Sequence, residues 1–126
     1  MGYRSLNTQL VSDTTANITT STNTNSAKCD QIGSLDITMV LTKVTGTVGG
    51  TAKLQKNNNP SDATAVWVDL LDGEIQGAAT ASVTITDGDN TINWSVPDAT
   101  AREYRAVIGI TGGTVTGDVR VHGKSN

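Results

Sequence analysis

Residues 45–70 read TGTVGGTAKLQKNNNPSDATAVWVDL. Two runs rich in Val, Thr and Ala, at 47–56 and 65–71, flank NNNPSDAT at 57–64. Thr and Val favour extended backbone, whereas Pro60 and the four Asn or Asp residues of 57–64 make that segment a loop. The stretch therefore reads as two β-strands joined by a polar connection. The same glycine-and-valine wording returns at 110–123 as ITGGTVTGDVRVHG.

The pattern extends outward on both sides. In SLDITMVLTKV (34–44), Leu35, Ile37, Met39 and Leu41 fall on one face, the period of a half-buried strand. Thr45-Gly46 is then a short hairpin connection into the next strand. ASVTIT (81–86) and TINWSV (91–96) flank DGDN, where Asp87-Gly88 signals another hairpin, and Pro97 ends the second of these runs. EYRAVIGIT (103–111), Gly112-Gly113 and TVTGDVRVHG (114–123) form the last expected pair. Seven or so strands and no helical period predict an all-β chain, an antiparallel β-sandwich of immunoglobulin-like or jelly-roll topology. PDATAREY (97–104) before a strand resembles the corner of immunoglobulin-like and fibronectin-like domains, in which a tyrosine bonds back to the corner backbone. Tyr104 is that residue here, and Ala106 stands where an immunoglobulin domain has its second cysteine.

At 126 residues the chain has the length of one domain. It lacks Phe and is 36% hydrophobic, so the core must come from Val, Ile, Leu and Ala with Trp67, Trp94, Tyr3 and Tyr104. A core this thin favours extra burial at a subunit interface. Net charge is −3, with Lys and Arg scattered. Phosphate backbones call for a basic face, so no nucleic-acid partner is expected. No run approaches a membrane span, and MGYRSLNTQLVSDTT lacks the apolar core of a secretion signal. The expectation is synthesis in the cytoplasm and no membrane partner.

Residues 1–30, rich in Thr, Asn and Ser, read as a partly disordered tail or as an extended N-terminal arm ordered against a neighbouring subunit, and 31–126 read as the sandwich domain. The sole cysteine, Cys29, and the sole histidine, His122, show no sequence relation that would pair them for nucleophilic catalysis. DGDN lacks the later acid of a calcium loop and is read as a turn. The Gly pairs lead into no helix and make no phosphate cradle. These readings predict no enzyme, no cofactor and no metal. Trp67, Trp94, Asn57, Asn58 and Asn59 are the candidate ligand or partner contacts, with a core role favoured for both tryptophans.

The combination GGTAKLQ, an Asn-rich turn and AVWVDL resembles a hairpin of small bacteriophage virion proteins. Tyr104-Arg105 followed by ITGGTVTG is similar to the closing hairpin of that group. The likeness covers about residues 45–122, and Asn57-Asn58-Asn59-Pro60 replaces the usual Gly-containing turn. It implies a capsid decoration, minor capsid, spike or head–tail component located in the virion. Its partners would be major capsid or head–tail proteins and copies of itself, as a trimer or higher. The alternative is a glycan- or receptor-binding module using an exposed Trp. A third reading, an immunoglobulin-like adhesin, is disfavoured by the absent secretion signal.

Overall fold

The computed structural model describes residues 5–11, 17–59, 64–76 and 80–125. The chain is all-β. Its strands are β1 (Ser5–Val11), β2 (Asn17–Ile18), β3 (Ser21–Asn23), β4 (Ala27–Lys28), β5 (Ser34–Asn57), β6 (Trp67–Asp69), β7 (Ser82–Ile85), β8 (Asn90–Val96) and β9 (Glu103–Lys124). One 3-10 turn, Asp72–Glu74, is the only helical segment among the described residues.

Two strands dominate. β5 and β9 pair antiparallel from Ser34↔Lys124 to Lys56↔Tyr104, and every other strand lies along one of their free edges. β1 to β4 follow β9 from its end to its start, while β8, β7 and β6 follow β5. A straight strand of 24 residues would span about 80 Å, whereas a compact domain of this size has a radius of gyration of about 14 Å. The pair must bend.

The bend falls where the two glycine runs meet. Register shifts occur between Lys43 and Thr45, Thr45 and Gly49, and Gly49 and Gly50, and Gly49 faces Gly112 across the ladder. The extra residues exchange the faces of the strand: Leu35, Ile37, Met39 and Leu41 are buried before the bend, Ala52 and Leu54 after it. β9 makes the same exchange, from Tyr104, Ala106, Ile108 and Ile110 to Val115, Val119 and Val121. Gly50 has φ 149, and a Cβ there would lie 1.9 Å from the Gly109 carbonyl oxygen. Only glycine lets the backbones approach so closely.

Thr45-Gly46 and Gly112-Gly113 therefore do not reverse the chain. Each expected hairpin is one continuous strand, because a positive-φ glycine serves a bulge as readily as a turn. Asp87-Gly88 is corrected likewise: β7 and β8 do not pair with each other but lie in succession along β5. Their connection spans the bend and holds it. Asp87 Oδ1 accepts the Val48 N–H at 2.9 Å and Lys43 Nζ at 3.0 Å, and Asp89 Oδ1 accepts the Lys43 N–H at 2.9 Å.

One face of the bent sheet is buried in both halves, with Ile37, Met39, Leu41, Trp94, Leu54, Ile108 and Val115 at 0% exposure in a single hydrophobic cluster. Both halves contribute to this one cluster, an arrangement consistent with a β-sandwich. The end opposite the bend is closed by residues 29–33 and 97–102, which cross between the halves. Ala99 N–H donates to Gly33 O at 2.8 Å and Cys29 N–H to Arg102 O at 2.7 Å. Tyr104 Oη accepts the Ala101 N–H at 3.1 Å, the corner contact expected from the sequence.

The described part of residues 1–30 is extended but lies on its own chain. It contributes Leu10, Ile18, Ala27 and Cys29 to the core, and Ile18 Cδ1 comes within 3.1 Å of where a Cβ on Gly117 would stand. Thr24 Oγ1 accepts the Ala106 N–H at 3.0 Å. Alternation of small apolar and polar residues suits an edge strand with one face on the core, and β9 supplies the ladder.

Candidate functional site

The five candidate contacts separate in the structure. Trp94, on β8 beside Ile37, is fully buried. It is a core residue and offers no ring face to a ligand. Trp67 faces outward from β6 and is half-buried, with the Arg105 guanidinium 4.2 Å from its ring centroid. This cation–π contact occupies a ring face that a sugar would otherwise stack upon. Arg105 is also fixed by Nε donation to Gln55 Oε1 at 2.9 Å, and burial lowers its pKa from the ordinary value.

Asn57, Asn58 and Asn59 begin the loop that leaves β5. Asn57 is 8% exposed and organises the loop from within. Its Oδ1 accepts the Asn59 N–H at 3.0 Å and the Val66 N–H at 3.1 Å, while its Nδ2 donates to Glu103 Oε2 at 3.1 Å. Asn58 is exposed, and Asn59 Nδ2 donates to the Thr64 carbonyl oxygen. The outward projection expected of this segment holds for Asn58 and not for Asn57; Pro60 to Ala63 lie outside the described residues. Asn57 to Asn59 line a recess of about 330 Å³ with Lys56, Thr100 and Arg102, at the end closed by the 97–102 crossover.

Glu103 is the hub of this region, and sequence reading missed it. Its carboxylate receives Lys28 Nζ at 3.0 Å and Asn57 Nδ2 at 3.1 Å on different oxygens. The bond from Lys28 holds its pKa below the ordinary carboxylate value; burial opposes this and the Asn57 bond assists it. Lys28 and Glu103 are 75 positions apart and meet only through the β4–β9 register, which no local pattern announces.

A second concavity, about 390 Å³, lies on the outer face of the other half between β1, β9 and β5. Asn7, Gln9, Asp36, Thr38, Arg120 and His122 line it, and Asn7 Oδ1 lies 2.6 Å from His122 Nδ1. Among the described residues no cluster of three or more His, Cys, Asp or Glu could hold a metal ion. No helix among them is long and apolar enough to cross a membrane.

Compared with family models, curated proteins and solved structures, the chain matches none.

Proposed function

We propose that the chain is a non-enzymatic structural protein of a bacteriophage particle, a capsid decoration, minor capsid or spike component that acts by self-assembly and subunit contacts. The observation that carries the structural part of this reading is where its polar side chains go. Asp87, Asn57, Thr24 and Tyr104 each bond the chain's own backbone at a bend, loop or corner. Asn90 does the same, donating to the Thr86 carbonyl at 2.9 Å. The polar inventory stiffens a scaffold, and a stiff scaffold suits a subunit that acts through contacts on its outer faces. The phage assignment comes from the sequence likeness to virion hairpins. Of these, the stretch 45–70 does pair as β5 with β6, whereas the closing stretch at 104–117 lies within the single strand β9 and lends it no support. Val40, Val44 and Leu71, 39%, 46% and 70% exposed, are apolar positions that a neighbour would cover.

The glycan-binding alternative now rests on Trp67 beside the Asn recess. Light scattering across a concentration series, run with a glycan-binding screen of the full chain, separates the two. Assembly predicts a discrete symmetric oligomer, trimer or higher, whose mass is unchanged in Trp67→Ala. A monomer that binds a glycan and loses it in Trp67→Ala would replace the assembly reading with the binding module.

A further inference from the structure

We propose that Lys28, Glu103 and Asn57 form a self-modification site that joins β4 to β5 through a side-chain amide bond. β9 separates β4 from β5, and Glu103 of β9 stands between Lys28 of β4 and Asn57 of β5. Glu103 holds both nitrogens, Lys28 Nζ at 3.0 Å and Asn57 Nδ2 at 3.1 Å, on its two oxygens. This proposal is independent of the assembly reading.

The Asn57 carboxamide is arranged as an electrophile. Two backbone N–H groups, of Asn59 and Val66, donate to Oδ1 at 3.0 and 3.1 Å. They polarise the carbonyl and stand ready for the negative charge that oxygen gains when Cγ is attacked. The nucleophile is an amine tethered at the same carboxylate, so the encounter is intramolecular. The neutral Lys28 amine adds to Asn57 Cγ, forming the new C–N bond. One proton passes from the attacking nitrogen through Glu103 to Nδ2, the Cγ–Nδ2 bond breaks, and ammonia leaves. Amine and carboxamide become a secondary amide and ammonia, Glu103 is regenerated as carboxylate, and no oxidant or co-reactant is consumed.

Exposure sets the expected rate. Asn57 is 8% exposed and the Glu103 side chain 17%, but the Lys28 side chain is 76% exposed. Water competes for that amine, and the reaction needs its neutral form. Conversion is therefore slow at neutral pH and accelerates as pH rises.

The test is an intact-mass time course on the full chain at neutral and mildly alkaline pH, followed by peptide mapping. The expected result is loss of one ammonia, faster at the higher pH, with a branched peptide linking Lys28 to Asn57. Lys28→Arg keeps the charge on an exposed side chain and abolishes the loss. Glu103→Gln slows it by about 100-fold, the scale of one positioned proton carrier. No mass change after prolonged alkaline incubation overturns the proposal. So does an ammonia loss that persists in Lys28→Arg, because that is cyclisation of an Asn onto its own backbone. An unchanged rate in Glu103→Gln overturns the role given to Glu103.

Discussion

Gly50 shows how far a single residue decides this structure. Its φ of 149 and the 1.9 Å from an added Cβ to the Gly109 oxygen leave no side chain that fits. Gly50→Ala is expected to lower unfolding free energy by more than about 2 kcal/mol in chemical denaturation, since a backbone must move. Gly73 has nothing within 4 Å of its added Cβ, so Gly73→Ala should stay within about 0.5 kcal/mol of wild type. Trp94 makes the complementary case. It is fully buried, and its indole N–H has no acceptor among the described residues, so packing alone holds it. Trp94→Ala should cost about 3–5 kcal/mol in the same assay.

Among elements, the connection 86–89 has the clearest task. It accepts the Lys43 and Val48 N–H groups that the bend of β5 removes from the ladder. The Val48 N–H, followed by the Lys43 ammonium, holds the Asp87 pKa below the ordinary carboxylate value. A depressed folded pKa contributes stability that is complete above the unfolded value and lost as pH falls through the folded one. Thermal unfolding followed below about pH 4 should therefore show a smaller acid-side loss in Asp87→Asn than in wild type, because the amide keeps an acceptor without titrating.

Much of this level was legible in the sequence. Leu35 to Leu41 announces its strand by alternation, Ala65 to Leu71 announces one that the structure confines to Trp67–Asp69, and Tyr104 announces its corner. What alternation cannot convey is whether a glycine reverses a chain or bulges it. Gly46 and Gly113 carry φ 75 and 72, values that a turn would also use. Only the partner strand decides, and the partner of each glycine run is the other one. The Lys28–Glu103–Asn57 contact was illegible for a related reason: it depends on register between strands far apart in the chain.

At the scale of the whole molecule, β5 and β9 form a spine and the remaining strands are edging. The described residues before β5, 5–11 and 17–28, are part of that edging, since they bury Leu10, Ile18 and Ala27 against β9. Deleting them should uncover the free edge of β9 and the apolar face behind it, giving an aggregation-prone chain by light scattering. A soluble, cooperatively folded remainder would show instead that the segment is dispensable to the domain.

The function proposed for this scaffold is membership of a particle. Quantitative mass spectrometry of purified particles, made in cells that produce this chain, tests that directly. The assignment predicts the chain in the particle fraction at a fixed, multiple copy number per particle, retained through density-gradient purification. Its absence from purified particles, with the chain recovered only as free protein, would contradict the assignment.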